Sequence, residues 1–405
     1  MVAEHRRSST VGRFGTSPGT DAGAIRSAAI DGGFGQYKPR VPERIAVRVL
    51  HYLELESGLQ RSGIGTAVRH QRAALADSSV GLVTSPWRGG SAGSAMIKKA
   101  VGDPFFGTYD LAHCHLGGPG TIAVSEHADR NGIPLILHAH VTREDFAGSF
   151  RGSTAIGPAL ERYLRWLYSR ADLVLCPSDH TKSVLESYPV SAPIRQITNG
   201  VDVNSLAGYG SLRERYRDRY GLDGLVVFAV GNVFERKGVE TFCELAAGSD
   251  HEFVWFGPYD RGPHAAPVVR QLIENPPENV TFTGWIDDIR GAYGAGDVYL
   301  FPTTAENQGI AVLEAMACGA AVVLRDLPVF REFYTDGEDC LLCEDFEAFE
   351  AALDRLAADP DLRRTLGENA KRTARSHDLD RVRRELTAAY AECRDRADSA
   401  EHATH

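Results

Sequence analysis

Two carboxylates, Glu306 and Glu314, flank Gly309-Ile310 in the segment Glu306-Asn307-Gln308-Gly309-Ile310-Ala311-Val312-Leu313-Glu314, directly after an apolar run ending at Phe301-Pro302. The pattern predicts a helix starting near Gln308. The free N–H groups and positive dipole of its first turn would suit a diphosphate. Glu306 would sit in the loop before it. Glu314 would lie further in, within reach of a ribose of the same ligand. The neighbours Ile310, Val312, Leu313 and Met316 are apolar, so a Glu314 with no partner would be a costly buried charge. A surface loop and an ordinary amphipathic helix are the plainer explanation. Upstream, Gly231-Asn232-Val233-Phe234-Glu235-Arg236-Lys237-Gly238 follows another apolar run and opens a helix. Arg236 and Lys237 together could neutralise a pyrophosphate leaving group, although alone such a pair is usually solvated.

The first half of the chain carries histidines instead. His138-Ala139-His140-Val141-Thr142-Arg143-Glu144-Asp145-Phe146 follows the apolar stretch PLIL, and His113 and His115 end the strand before it. Polar residues in such density at a strand end point to a site. Four histidines at two strand ends could ligate zinc, but no cysteine or carboxylate completes a recognisable ligand spacing, and a metal is not expected. Ser62-Gly63-Ile64-Gly65 would let a ligand approach the backbone at a helix start; a plain turn explains it as well. Cys340-Leu341-Leu342-Cys343 resembles half a zinc site, yet no second pair exists, and it is read as part of a strand.

These residues need elements to hold them. From Ile45 onward, short β-branched and apolar runs alternate with helical spacings: 44–53, 81–85, around Leu111, 134–140, 172–178 and 194–200, then 225–232, 253–257, 280–284, 298–302 and 321–326. Strands alternating with helices imply parallel sheets covered on both faces, here two doubly wound halves. The polar stretch 203–222 reads as a linker with a short helix, and 347–396 as helical. At 405 residues with 43% hydrophobic and 24% charged residues, the chain is ordinary for a globular protein of two or three domains. Its composition excludes a collagenous, coiled-coil or mostly disordered protein. No run suggests a membrane span, the N-terminus has no signal-like apolar core, and seven scattered cysteines fit free thiols in a reducing cytosol.

Taken together, Glu306 and Glu314, Lys237-Gly238, Asn199-Gly200-Val201-Asp202 and the tandem α/β halves resemble the retaining GT-B glycosyltransferases of family 4 over about residues 44–396. HAHVTREDFAGSFRGS (138–153), VGNVFERKGVETF (230–242), FVWFGP (253–258) and LRDLPVF (324–330) look like those members that glycosylate diacylglycerol-type lipids. The resemblance implies an acceptor-binding domain over 43–207, a linker over 208–224, a donor-binding domain over 225–375 and a helix 376–396 returning to the first domain; residues 1–42, rich in Gly, Ser, Arg and Ala with no apolar period, read as a flexible tail, and 397–405 as another. It implies a hexose donor, UDP-hexose, with no metal or other cofactor. Arg236 and Lys237 would bind its pyrophosphate, Gly309 and Ile310 amides its distal phosphate or sugar, and Glu306 the sugar hydroxyls. Glu314 would bind the ribose, Gly63-Ile64 would pass beneath the diphosphate, and His140 would contact the sugar. Thr142, Glu144, Asp145 and Arg151 would face the acceptor. The family often has arginine where Asn232 stands, which shifts the phosphate role toward Lys237 and Arg236.

Charge adds a partner. Residues 1–44 carry net +3, 45–207 net +1 and 208–405 net −14. The stretch ALERYLRWLYSR (159–170) combines Arg162, Arg165 and Arg170 with Tyr163, Trp166 and Tyr168, a mixture suited to an anionic membrane surface. The other reading is that Leu160, Tyr163, Leu164 and Leu167 simply pack on the sheet. A cytoplasmic enzyme peripheral to the inner face of the membrane, with a lipid or glycan acceptor and no nucleic acid partner, is the expectation. A nucleotide-dependent oxidoreductase is disfavoured because Gly58, Gly63 and Gly65 do not fit the dinucleotide fingerprint. A GT-B sugar-nucleotide epimerase and a non-transferring pseudoenzyme are weaker alternatives.

Overall fold

The computed structural model describes residues 47–88 and 106–403. The expected tail 1–42 and Ile45 lie outside them. The first sheet comprises β1 (Val47–Tyr52), β2 (Val80–Val83), β3 (Leu111–Cys114), β4 (Leu135–His138), β5 (Leu173–Cys176) and β6 (Ile194–Gln196), in the spatial order β2-β1-β3-β4-β5-β6. The second comprises β7 (Val226–Val230), β8 (Glu252–Phe256), β9 (Val280–Gly284), β10 (Val298–Phe301), β11 (Ala321–Arg325) and β12 (Leu341–Cys343), in the order β12-β11-β10-β7-β8-β9. All neighbours within both sheets run parallel. Central strands such as VVFAV of β7 are buried throughout, which is why they read as continuous apolar runs.

Strand order locates the ligand crevices. In each sheet the chain reverses its winding beside the first strand, between β1 and β3 and between β7 and β10. Open α/β sheets bind ligands beyond the strand ends at that reversal. The loops after β7 and β10 are those carrying Arg236-Lys237 and Glu306.

Two boundaries differ from the expectation. The segment 208–224 is not a linker in the structure. Its turn Tyr209–Leu212 and helix Arg213–Tyr220 pack on the second core, where Leu206 and Tyr216 are buried. Arg213 and Arg217 each reach Asp297 at 2.6 Å, which also accepts from the Val226 amide at 2.9 Å. A run of arginines looks like a solvated linker until a half-buried acid is found to collect two of them. The final helix runs Leu379–Ala403 rather than ending at 396. Val382, Leu386, Ala389, Tyr390 and Cys393 recur at helical spacing and join Val47, Val49, Leu111 and Ile136 in one core cluster. The last helix thus covers a face of the first sheet, and its entry is held by Val201 N donating to His377 O at 2.9 Å.

Leu386 is fully buried in this seam. Leu386→Ala is expected to destabilise the fold by about 2–5 kcal/mol, the usual range for a buried leucine truncation. A lowered urea midpoint would show it; an unchanged midpoint would mean that the helix contributes little to the first core.

Candidate active site

The loops after β7 and β10 are locked together. Gly238 takes φ +79°, and a Cβ there would stand 2.3 Å from Pro302 O, so only glycine lets the two loops touch. The Arg236 carbonyl accepts from Thr304 N at 2.8 Å and Thr303 Oγ1 at 3.1 Å. This contact sets Lys237 against Glu306, whose carboxylate accepts a hydrogen bond from Lys237 Nζ. The same ammonium lies 4.8 Å from the centre of the Phe301 ring, a cation–π contact.

Arg236 faces the other sheet. Its Nη1 donates to Ala305 O at 2.8 Å and lies 2.9 Å from Asp145 Oδ1. Its amide donates to Gly148 O at 3.2 Å. Burial by itself would raise the Glu306 pKa, but Lys237 and Arg236 outweigh it and hold the carboxyl below its ordinary range. Burial lowers the Lys237 pKa, against the opposing pull of Glu306. Burial raises that of Asp145, with Arg236 opposing. Two cations and two carboxylates therefore share one partly dehydrated place.

The helix at the site starts at Ile310, two residues later than the predicted Gln308, and ends at Ala317. Gly309 precedes it in the left-handed conformation, φ +83°, and turns Asn307 and Gln308 away from the helix. Glu314 lies on the second turn, where Tyr293 OH donates to its Oε2 at 2.5 Å. Burial raises its pKa, against the opposing effects of His70 across the cleft and the Tyr293 hydrogen bond.

From the first sheet, Ser62 caps the helix Gly63–Leu75 by accepting from Gly65 N at 3.2 Å. His140 follows β4, is buried, and has its Nε2 3.1 Å from His115 Nδ1. Burial pushes its pKa down to about 3, so the ring is neutral near pH 7. His140, Glu306, Lys237, Arg236, Gly309, Ile310, Glu314, Gly63, Ile64 and Asp145 all line one cavity of about 460 Å³, within the range usual for small-molecule sites.

Three predicted acceptor residues do not reach that wall. Thr142 is buried and accepts from Asp145 N at 3.1 Å as the cap of the helical turn Arg143–Phe146. Glu144 accepts from Tyr188 OH and pairs with Arg143 at 3.0 Å. Arg151 is exposed and its amide donates to His264 O at 2.9 Å. Local capping and pairing thus account for side chains that looked unassigned in the sequence. Cys340 and Cys343 are buried free thiols at β12, as the strand reading expects.

The sequence reading missed the residues that join the sheets across the cleft. Gln308 accepts from Asn199 N at 2.8 Å through Oε1 and donates to Thr198 Oγ1 at 2.6 Å. Asn307 Nδ2 donates to His140 O at 3.0 Å. Glu332 accepts from the amides of Asp179 and His180, at 2.8 and 3.0 Å, at the start of the helix Asp179–Ser187. Two amides wedged between a carboxylate and a glycine were the available signal. The exposed Trp285 was also missed; Arg61 lies 4.9 Å above its ring at the cleft rim.

Comparison with known proteins agrees with this geometry. Residues 65–205 match the family described as Glycosyltransferase Family 4, and residues 224–359 match Glycosyl transferases group 1. The processive diacylglycerol alpha-glucosyltransferase of Acholeplasma laidlawii is 29% identical over 352 residues, 85% of this chain and 98% of that one. The lipopolysaccharide core biosynthesis mannosyltransferase LpcC of Rhizobium leguminosarum bv. viciae is 30% identical over 281 residues, 65% of this chain and 77% of that one. The structure of Anabaena HepE in complex with UDP and glucose superposes with a TM-score of 0.69 at 17% identity, covering 85% of this chain and all of that one. The fold is GT-B, and the chain belongs to the group 1 glycosyltransferases of family 4.

Proposed function

We propose that this enzyme is a retaining hexosyltransferase that moves a hexose from UDP-hexose to a hydroxyl of a membrane glycerolipid. One observation carries the reading: Lys237, Arg236, the helix start at Ile310 and the two carboxylates Glu306 and Glu314 converge on a single cleft. The Acholeplasma relative named above supports the lipid acceptor. Cleaving a glycosyl–phosphate bond builds positive charge at the sugar carbon and negative charge on the leaving diphosphate. Lys237 and the helix amides stabilise that negative charge as it develops. Glu306, already bonded to Lys237, orients the sugar hydroxyls, and Glu314 the ribose. His140, neutral and held by His115, flanks the sugar and carries no charge to the reaction. Asp145 and Glu306 each pair with a cation, and Glu314 accepts from Tyr293, contacts that favour binding roles over attack on the sugar carbon. Retention then proceeds by attack on the face the diphosphate leaves, its oxygen accepting the acceptor's proton. Incubating labelled UDP-glucose with diacylglycerol vesicles and identifying the product tests the proposal. Transfer only to a soluble sugar would replace the lipid acceptor; donor turnover with no acceptor would favour the epimerase.

Lys237→Ala, Glu306→Ala and Glu314→Ala are each expected to lower transfer by about 10²–10³, the loss typical of one charge-stabilising contact. Initial rates on folded variants check this, and wild-type rates in all three would refute the site. Arg236 and Lys237 supply the countercharge that a divalent ion would otherwise give, so transfer in the presence of chelator is expected to keep most of its rate. Abolition by chelator with rescue by added magnesium or manganese would refute that reading.

Membrane contact rests on a mixed surface of the first domain. In the helix Gly157–Tyr168, Leu164 and Leu167 are buried on the sheet while Arg162, Arg165 and Trp166 face outward. Packing and an outward basic face thus coexist. Phe150, Ile156 and Trp166 are 40%, 48% and 45% exposed, an apolar supplement to the arginines. Among the described residues, no helix is long and apolar enough to cross a membrane. This surface supports a peripheral place at the inner membrane face. Its sedimentation with vesicles is expected to rise with anionic lipid and fall with salt. Arg162→Glu with Arg165→Glu is expected to weaken sedimentation without moving the thermal midpoint. Equal sedimentation of variant and wild type would remove this surface from the proposal.

A further inference from the structure

The first sheet carries a second constellation, beneath the cleft. On one face, β1 runs Val47, Val49, His51, the next strand Leu111, His113, His115, and β4 leads through Ile136 to His138 and His140. Pairing sets His51 beside His113, and the strand period of two keeps each series on one face. The apolar ends pack against the last helix, and the histidine ends form a buried stack. His51, the member on β1, was not part of the sequence reading.

Three of these rings are arranged differently from a simple stack. His51, His113 and His115 are fully buried, and one ring nitrogen of each lies within 4.8 Å of those of the other two. In each ring the opposite nitrogen is engaged. His51 Nε2 is 3.3 Å from Gln71 Oε1, His113 Nδ1 is 2.8 Å from Tyr390 OH, and His115 Nδ1 is 3.1 Å from His140 Nε2. His115 Nε2 lies 3.2 Å from both nitrogens of His51. His113 Nε2 is buried with no hydrogen-bond partner.

We propose that His51, His113 and His115 bind a transition-metal ion of the zinc class through His51 Nδ1, His113 Nε2 and His115 Nε2. Imidazole nitrogens suit such ions. Metal-bound histidines are held by a partner on the far nitrogen, the role Gln71, Tyr390 and His140 would fill. A stack of neutral rings bonded only to one another satisfies His51 and His115 but leaves His113 Nε2 and His138 Nε2 unpaired in the interior. None of the three ligands lines the cleft. The ion is therefore a tie between β1 and β3, acting on the reaction only through the His115–His140 contact. A second triad, His115, His138 and His140, also has nitrogens within 4.8 Å and shares His115; the test separates the two.

Full-length protein without a polyhistidine tag is stripped with chelator, dialysed against Zn²⁺ or Co²⁺, and passed through gel filtration. The expected result is one zinc per chain by elemental analysis, a visible d–d spectrum with Co²⁺, and a higher thermal midpoint with zinc. His51→Ala and His113→Ala should lose the ion. Tyr390→Phe, which removes only the outer hydrogen bond, should weaken binding about 10–100-fold. His138→Ala and the exposed His264→Ala should retain it. Should a ligand variant fail to fold, the wild-type cobalt spectrum and the Tyr390→Phe titration still decide. Wild type holding no more zinc than His113→Ala, no cobalt spectrum, or loss confined to His138→Ala would each overturn the assignment.

Discussion

The partly buried ion pair of Lys237 and Glu306 is the constraint around which the second domain's side of the cleft is built. Removing one member would leave a partly dehydrated charge without its partner, and the surrounding loops keep both members in place. They do so with Gly238, which lets the loop after β7 touch Pro302, and with Phe301, whose ring lies beside the ammonium. Arg236, one residue earlier, extends the same charge system to Asp145 on the other sheet. The pair thus fixes the ammonium on the cleft wall, and Arg236 beside it connects the two halves.

The sheet orders explain why such a pair forms at all. β7 and β10 are neighbours in space although the chain visits β8 and β9 between them. Their ends open a crevice into which both loops project, with the first turn of the helix Ile310–Ala317 at its base. The first sheet offers its own crevice opposite, between β1 and β3. Gln308, Asn307 and Glu332 hold the two edges in register by bonding to backbone groups at Asn199, His140 and Asp179-His180.

The histidine face shows the opposite use of burial. In the second domain, dehydration strengthens attraction between formal charges. In the first, burial keeps His113, His115, His138 and His140 uncharged. Neutral rings can stack at short range, as His138 and His140 do with centroids 4.3 Å apart, where protonated ones would repel. At the cleft, Lys237 is matched to Glu306 and Arg236 to Asp145, while the neutral rings lie beneath it.

Much of this was legible in the sequence because it depends on local period and on residue type. Alternating apolar runs and helical spacings disclosed two parallel α/β halves. Glu306, Glu314, Arg236, Lys237, Gly309 and His140 stood out because charged or polar residues after apolar strands have no packing reason to be there. Periodicity, however, carries no information about which distant groups become neighbours. It could not tell that Asp297 would draw Arg213 and Arg217 into the second core, or that the caps and pairs of Thr142 and Glu144 would occupy them. It could not bring His51 to His113 and His115, because strand order and register decide that contact. What the sequence determined by itself was the set of elements and the chemistry at their ends; what only the tertiary structure decided was pairing, since the energy of a buried charge or ring is set by partners that the chain supplies from far away.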